Sequence, residues 1–210
     1  MFKNYFLSIA FCFYGLTSQD INSTDIKIAF WNVENLFDLE NDPLTNDDEY
    51  ATGGRKNVTD DVYELKLNNL SEILNKLDAD LLGLCEVENR FVLEELNNAT
   101  NRNYNIIHYD SPDNRGIDVA LLYDSQDIIL KSSDPIKVIL PSGSPTRDIL
   151  YINFLIHGSN LHIYVNHWPS KYGGVEKTIP FRAAAAKILR NDIEKILKLD
   201  PKAEIIVMGD

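Results

Sequence analysis

The alternation of apolar and polar positions along the chain predicts many short strands and a few amphipathic helices. Most of the apolar runs are apolar on both faces of a strand, so the sheet that they form must be covered by other layers. The chain is therefore predicted to have an α/β or α+β fold. The predicted strands are Ile26–Val33, Asp80–Val87, Tyr104–Tyr109, Ile117–Tyr123, Ile136–Leu140, Leu150–Ile156, Leu161–Asn166 and Glu204–Met208.

Three segments carry the signals of helices. Thr59 is a suitable N-cap, and the two aspartates that follow it suit the positive end of a helix dipole. A short helix is predicted at Phe91–Asn98, and Pro180 is expected to begin a long helix that ends near Leu199. The apolar face of the first helix consists of Tyr63, Leu67, Leu70, Leu74 and Leu77.

The composition is typical of a folded globular protein. The chain has 210 residues, is 44% hydrophobic and contains ten Tyr and nine Phe, which excludes a disordered chain. No repeat and no Pro/Gly-rich linker divides the sequence, so residues 24–210 are assigned to one domain. The net charge of −12 argues against binding nucleic acid by bulk electrostatics, although it leaves room for local contacts with phosphate groups.

The N-terminal segment has the pattern of a secretory signal. Lys3 is its one charge, an apolar run from Tyr5 to Leu16 follows, and small polar residues come next. The run is shorter than the ~20 residues of a membrane-spanning helix. We therefore expect residues 1–19 to be removed and the protein to be exported to the periplasm or the extracellular space, with no membrane span left. An N-terminal anchor that stays in place is the alternative.

Removal of this segment changes the charge and the cysteine content. The remaining chain has 19 Lys and Arg against 32 Asp and Glu, a net charge of −13. Cys85 is then the one cysteine, so the fold has no intramolecular disulfide. Because Cys85 lies in an apolar run, it is expected to be a buried structural thiol rather than a catalytic one.

Four predicted strands end at or next to a polar residue that can bind a metal ion or a phosphate group: Asn32, Glu86, His167 and Asp210. Side chains two positions apart on a strand point the same way, so each polar group lies at the rim of an apolar face. The alternation places Glu86, for example, on the face of Leu84. Since α/β proteins bind ligands at the carboxyl ends of strands, the four residues are expected to share one site.

The ligand types in this set indicate which metal the site prefers. Asn32, Glu86 and Asp210 offer oxygen ligands, which suit Mg²⁺, Mn²⁺ or Ca²⁺ better than zinc. No zinc-ligand spacing occurs, and His108 and His157 lack neighbours of ligand type, so both are expected to be ordinary histidines. Walker and GxGxxG loops are absent, and no serine lies in a nucleophile elbow.

Five short motifs together resemble the endonuclease/exonuclease/phosphatase superfamily, which has the deoxyribonuclease I-like fold. They occur in that family's order and extend from about residue 26 to residue 210. One such motif carries little information, but five in order are specific. The motifs are FWNVENLF (30–37), LCEVEN (84–89), RGIDVA (115–120), VNHWPSK (165–171) and VMGD (207–210).

The resemblance implies a four-layered α/β/β/α sandwich in which two mixed sheets are stacked between helices. It also implies metal-dependent hydrolysis of phosphate esters, usually with Mg²⁺ or Mn²⁺, while Ca²⁺ stays a third candidate. Glu86 matches the family's metal-binding carboxylate, and Asn32 matches the asparagine beside it. Glu88 and Asn89, in the same motif, are expected to support the site or to cap a helix.

Other matching positions imply groups that act on the phosphate. His167 matches the residue that hydrogen-bonds the scissile phosphate, and Ser170 lies close by in the same motif. Arg115 matches a phosphate-contacting arginine, which can make a forked contact. Asp210 matches the aspartate of a Gly-Asp-x-Asn motif, which positions the attacking water. Phosphoryl transfer needs such a set: a cation, donors to the nonbridging oxygens and an aligned nucleophile.

The chain departs from the family pattern at its end. The asparagine expected two residues after Asp210 is absent, and so is the family's late Asp-His pair, whose histidine acts in general acid–base catalysis. On this basis the 210-residue chain is expected to be a C-terminally truncated fragment that is poorly active or inactive. Its open sheet edge is expected to favour aggregation.

The sequence does not determine the class of substrate. An exported, acidic member of the family fits a nuclease that hydrolyses phosphodiester bonds of DNA or RNA. The alternative enzyme is a phosphodiesterase or phosphatase acting on lipid head groups or small phosphoesters. A non-catalytic, secreted binding domain on the same scaffold is a hypothesis of another class. No stable protein partner is predicted, and the oligomeric state is not indicated.

The acidic loop between the first strand and the first helix raises one more alternative, a calcium-binding surface module. The loop lacks the spacing of an EF-hand and its central glycine, so a solvated acidic loop is favoured. The carboxylates considered are Asp38, Asp42, Asp47, Asp48 and Glu49.

Overall fold

The structure, a computed structural model, describes residues 25–210. The predicted secretory signal at residues 1–19 lies outside the described residues. Between residues 25 and 210 no helix combines the length and the apolar character that are needed to cross a membrane.

Two four-stranded mixed sheets form the centre of the fold. The first sheet consists of β1 (Ile28–Leu36), β2 (Leu81–Val87), β3 (Asn105–His108) and β4 (Asp118–Tyr123), in the order β1-β2-β4-β3. The second consists of β5 (Ile128–Ile136), β6 (Ile149–Ile156), β7 (Ser159–Asn166) and β8 (Glu204–Gly209), in the order β5-β6-β7-β8. Each sheet has one parallel pair, β1 with β2 and β7 with β8, and its other pairs are antiparallel.

Three helices cover the sheets: α1 (Asp60–Leu77), α2 (Arg90–Asn98) and α3 (Val175–Leu199). The first two begin at side-chain caps. Thr59 accepts a hydrogen bond from the backbone N–H of Val62, and Asn89 accepts one from the backbone N–H of Val92. The predicted cap of α1 is confirmed, and so is the expectation that Asn89 caps a helix.

The prediction that the long helix begins at Pro180 is wrong, because α3 begins at Val175 and contains the proline. Pro180 is the sixth residue of α3, so its missing N–H removes one backbone hydrogen bond, to the carbonyl group of Glu176. Thr178 also satisfies an early carbonyl group: its hydroxyl donates to the carbonyl oxygen of Gly174 over 2.9 Å.

Three buried clusters define the four layers. Leu74 of α1 and Leu96 of α2 belong to a cluster on the outer face of the first sheet. Leu121 and Phe154 belong to the cluster between the two sheets. Leu189 of α3 lies in the third cluster, on the outer face of the second sheet. This stacking confirms the predicted α/β/β/α sandwich.

One strand is misplaced in the sequence-based prediction. A strand was expected at Ile136–Leu140, but β5 ends at Ile136 and the next four residues form no strand. β5 is an edge strand with many exposed polar side chains, and an edge tolerates Pro135 because the missing N–H faces outward. Val138 and Leu140 are buried in the cluster beneath α3 instead. The other seven predicted strands each overlap an observed one.

Cys85 is completely buried in the cluster between the sheets. Burial raises the pKa of its thiol, and the nearby carboxylates of Glu86 and Asp210 add to this effect. The prediction of a structural thiol therefore agrees with its surroundings.

Candidate active site

The two parallel strand pairs end at the same edge of the sandwich, and their ends bring the four predicted polar residues together. The side-chain amide Nδ2 of Asn32 lies 3.2 Å from Glu86 Oε1 and 2.9 Å from Asp210 Oδ2. Nε2 of His167 lies 3.5 Å from the same oxygen of Glu86. Two side chains within β1 and β2 and two that directly follow β7 and β8 thus form a single polar cluster, as the strand endings predict.

Glu86 reaches this cluster by a route that differs from the prediction. In β2, Leu82, Leu84 and Val87 all pack against the helices on the outer face of the first sheet. The register with β4 shifts between Cys85 and Val87, and Glu86 has a positive φ of 61°. Glu86 is therefore the extra residue of a β-bulge, which turns its side chain to the other face. The expectation that Glu86 shares the face of Leu84 is wrong.

A second backbone irregularity, in β1, holds the side chain of Asn32 in place. Glu34 and Asn35 both have positive φ values, 56° and 62°, where the register of β1 with β2 shifts. This bend turns the backbone N–H of Glu34 back onto Oδ1 of Asn32 at 2.8 Å. The ammonium group of Lys66 on α1 donates to the carbonyl oxygens of Glu34 and Asn35 at 2.6 and 2.7 Å. Burial lowers the pKa of Lys66 to about 8, although the charges of Glu34 and Glu86 act in the opposite direction.

Asp210 is held by its backbone. Its N–H donates to the carbonyl oxygen of Asn166, and its own carbonyl oxygen accepts from the N–H of Trp168 at 2.9 Å. Gly209, just before it, has a φ of 154°, and a Cβ at this position would overlap the carbonyl oxygen of Asn166. Only glycine therefore lets β8 approach β7 this closely and place Asp210 at the cluster.

His167 is 7% exposed and carries a nitrogen with no partner among the described residues: Nδ1 is buried and makes no hydrogen bond. Burial lowers the pKa of His167 to about 3, and the positive charges of Arg147 and Arg115 lower it further. The imidazole is therefore neutral at pH 7, with one N–H donor and one acceptor nitrogen.

A buried arginine that the sequence analysis missed supports this histidine. Arg147 is 8% exposed and makes an ion pair with Asp113 at 2.9 Å. It also donates to the backbone carbonyl oxygens of His167 at 3.1 Å and of Trp168 at 2.8 Å. The one signal in the sequence is a charged residue two positions before the apolar run of β6, and that signal is weak.

The two remaining predicted residues, Arg115 and Ser170, have different exposures and partners. Arg115 is half-exposed, and its Nε lies 3.6 Å from Asp113, so the arginine is tied to the same carboxylate as Arg147. Ser170 is exposed, and its hydroxyl accepts a hydrogen bond from the backbone N–H of Tyr172 at 3.2 Å. No hydrogen bond within residues 25–210 joins Ser170 to Glu86 or His167.

The donor set at the strand ends fits a hard divalent cation. The carboxylates of Glu86 and Asp210 converge on one amide group, and such oxygen donors suit Mg²⁺ or Mn²⁺. Oδ1 of Asn32 uses one lone pair for the N–H of Glu34 and keeps the other free. These three residues can therefore offer oxygen ligands to an ion.

A separate group of ligand-type side chains corrects another expectation. The ligand atoms of His108, Asp110 and Asp118 lie within 4.8 Å of one another, and His108 Nε2 is 3.0 Å from Asp118 Oδ2. His108 was expected to lack such neighbours. The antiparallel pairing of β3 with β4 sets His108 opposite Ala120, two residues from Asp118, and the sequence does not reveal this pairing.

Comparison with known proteins identifies what this chain is similar to. The sequence profile of the Endonuclease/Exonuclease/phosphatase family matches residues 27–210. No curated protein matches the chain in sequence.

Solved structures with a similar fold span several kinds of protein. TDP2 from Caenorhabditis elegans is 19% identical, with a TM-score of 0.57 over 72% of this chain and 43% of that one. The human Nocturnin catalytic domain is 21% identical, with a TM-score of 0.60 over 88% of this chain and 64% of that one. A mannosyl-6-phosphatase from Bacteroides thetaiotaomicron is 14% identical, with a TM-score of 0.61 over 89% of this chain and 65% of that one. This chain thus spans less than two thirds of the length of each.

Proposed function

Because the chain belongs to the endonuclease/exonuclease/phosphatase family, we propose that it carries the site of an exported, metal-dependent phosphoesterase that hydrolyses phosphodiester bonds of DNA or RNA. The observation that carries the proposal is the convergence of Glu86, Asn32 and Asp210 at one edge of the sandwich. The export follows from the predicted signal at residues 1–19.

We assign the cation to Glu86 and Asn32. A Mg²⁺ or Mn²⁺ ion bound there would neutralise the negative charge that develops on the phosphate oxygens. Asn32 also acts through its amide group, which donates to both neighbouring carboxylates and keeps them together despite their like charges. This arrangement favours a preformed site, since the donors are in place before the substrate binds.

The other side chains bind and orient the reacting groups. Arg115 is half-exposed and approaches Asp113 through Nε, so its two terminal nitrogens can make a forked contact with a phosphate. Neutral His167 can donate a hydrogen bond to a nonbridging oxygen through its one ring N–H. The carboxylate of Asp210 accepts a hydrogen bond from the attacking water and so orients it. The exposed Ser170 is assigned a phosphate contact at the entrance.

A small phosphoester is the second candidate substrate. The mature charge of −13 opposes the approach of a long polyanion, whereas one phosphate group meets less repulsion. The similarity in fold to a mannosyl-6-phosphatase is in line with this alternative. The two candidates differ in salt dependence, because only binding of a polymer releases many counterions.

The test is an assay of the protein encoded by the full reading frame around this sequence, with Mg²⁺, Mn²⁺ or EDTA. DNA, RNA, a phospholipid head-group ester and a sugar phosphate are offered in parallel. We expect metal-dependent cleavage of DNA or RNA that is lost in Glu86→Gln and retained in Glu94→Gln, an exposed glutamate on α2. Cleavage that persists in EDTA, or in Glu86→Gln, would overturn the proposal, and cleavage of the sugar phosphate alone would select the second candidate.

A further inference from the structure

The bend near the end of β1 is held from outside the sheet by one lysine of α1. β1 is an edge strand, and its register with β2 stops at Asn32 and resumes at Leu36, so the residues between them have no register partner within the described sheet. The half-buried side chain of Lys66 lies against this gap. Its ammonium group donates to the carbonyl oxygens of Glu34 and Asn35 at 2.6 and 2.7 Å.

The backbone of this bend is strained. Glu34 and Asn35 have φ values of 56° and 62°, in the left-handed region. Asparagine tolerates that region, whereas in glutamate the Cβ comes too close to the following carbonyl oxygen. Two such residues in a row persist only where the surrounding structure holds them. Lys66 does so by giving each of the two carbonyl groups a donor that the strand pairing does not supply.

The same bend sets the direction of the Asn32 side chain. The backbone N–H of Glu34 donates to Oδ1 of Asn32 at 2.8 Å, which fixes one end of the side-chain amide. The other end, Nδ2, is thereby directed at the carboxylates of Glu86 and Asp210. Direct contacts thus lead from Lys66 through Glu34 to Asn32.

We propose that Lys66 is a positioning residue, which holds the bend at Glu34 and Asn35 and so orients the amide of Asn32 between Glu86 and Asp210. The orienting role depends only on the contacts described above. Its consequence for binding of a cation rests on the proposed function. Lys66 touches neither the substrate nor the ion and acts through Glu34 and Asn32.

The charge of Lys66 acts on the same site in the opposite direction. Burial lowers the pKa of Lys66 and the charges of Glu34 and Glu86 oppose this effect, so Lys66 and Glu86 interact electrostatically. A positive charge beside Glu86 repels a metal ion bound there, so removal of a lysine that acts by charge alone would tighten metal binding. Removal of a lysine that orients Asn32 should instead weaken it. The sign of the change in metal affinity therefore separates the two roles.

The first measurement is amide hydrogen exchange by NMR, without metal, on the protein encoded by the full reading frame. In Lys66→Met, the N–H of Glu34 should exchange at least about threefold faster, while the amide protons of β2 should exchange as before. Lys66→Arg keeps a cation with several donors and should retain most of the protection. Lys76→Met, at an exposed lysine of α1 that pairs with Glu72, is the matched control and should leave the exchange of Glu34 unchanged.

The second measurement is the affinity for Mn²⁺ by calorimetry on the same proteins. Glu86→Gln identifies the binding event that belongs to the candidate site, since that event should be lost in this variant. For that event, Lys66→Met should weaken the affinity about tenfold, because the ligand groups are no longer held in place. Lys66→Arg should stay within about threefold of the unsubstituted protein, and Lys76→Met should equal it.

Each other outcome overturns the proposal. Unchanged exchange of the Glu34 N–H in Lys66→Met, or equal acceleration in Lys66→Arg, excludes the orienting role. Faster exchange throughout β2 would mean a general loss of stability, and tighter Mn²⁺ binding in Lys66→Met would mean that the lysine acts by its charge. Absence of Mn²⁺ binding by the unsubstituted protein would refute the proposed function, while the exchange of the Glu34 N–H would still decide the role of Lys66.

Discussion

The side chains of Asn32 and Asp210 are joined by a hydrogen bond of 2.9 Å although they are 178 positions apart in the chain. The bond links the end of β1 in the first sheet to the residue that follows β8 in the second. The same Nδ2 group lies 3.2 Å from Glu86, so one amide group holds two carboxylates. Asn32 therefore connects the two halves of the candidate site, as His167 also does through its contact with Glu86.

Asn32→Leu should abolish most of the metal-dependent hydrolysis with little loss of stability. It removes the donor between Glu86 and Asp210 and leaves two carboxylates in mutual repulsion. We expect kcat/KM of the protein from the full reading frame to fall by about 10²-fold or more, the magnitude seen when one preorganised polar group is lost. Asn41→Leu, at an exposed asparagine that bonds Asp48, is the matched control and should retain activity.

Gly209→Ala should destabilise the fold and displace Asp210. Its Cβ would overlap the carbonyl oxygen of Asn166, and its φ of 154° is strained for any other residue. The expected loss in the free energy of unfolding is about 2–4 kcal/mol by urea denaturation. Gly158→Ala separates the effect of the steric overlap from that of backbone strain, because Gly158 has a φ of 86° but open space around it. Equal losses in both variants would mean that only backbone strain matters.

Arg147→Met should be strongly destabilising. It leaves the buried carboxylate of Asp113 with only the half-exposed Arg115 nearby, at 3.6 Å, and removes donors from the carbonyl oxygens of His167 and Trp168. Breaking a buried ion pair on one side costs about 3–5 kcal/mol, which urea denaturation measures directly. The double variant Arg147→Met/Asp113→Asn should regain part of this loss. No recovery in the double variant would show that the backbone contacts, and not the ion pair, carry the effect.

Cys85 should not react with a thiol reagent in the folded protein. It is completely buried, and burial raises the pKa of its thiol, so the reactive thiolate is scarce. A Cys12→Ser background leaves Cys85 as the one thiol in the chain. The rate of modification should rise to that of a free thiol only in denaturant, and fast modification of the native protein would contradict the buried position.

The free energy of unfolding should fall as the pH rises from about 4.5 to 8. The pKa of Glu88 is raised to about 8 in the fold, so the folded state binds more protons than the unfolded state in this range. Its stabilising contribution is fully present below pH 4.5 and is lost as the pH rises to 8, by about 2–4 kcal/mol. Glu88→Gln should flatten this dependence, and an unchanged slope would assign the effect to another group.

The periodicity of the sequence was sufficient for the α/β class and for most elements, whereas the four layers were implied by the family resemblance. Seven strands and the cap at Thr59 follow from local patterns, because alternation and capping depend on neighbouring residues. β5 escaped prediction since an edge strand is half-exposed and carries little apolar signal. Arg147 and Asp47 escaped it because polar residues carry no pattern that reveals their burial, which distant segments impose.

The sequence by itself determined which residues are polar at the strand ends, the family motifs and the sandwich of two mixed sheets. Only the tertiary structure decided which way Glu86 points, because a β-bulge adds one residue and reverses the alternation beyond it. It also decided that Asn32 bonds two carboxylates and that Asp47 is buried. Side-chain contacts across 40 or more residues depend on how strands pair and sheets stack, and local sequence does not encode those distances.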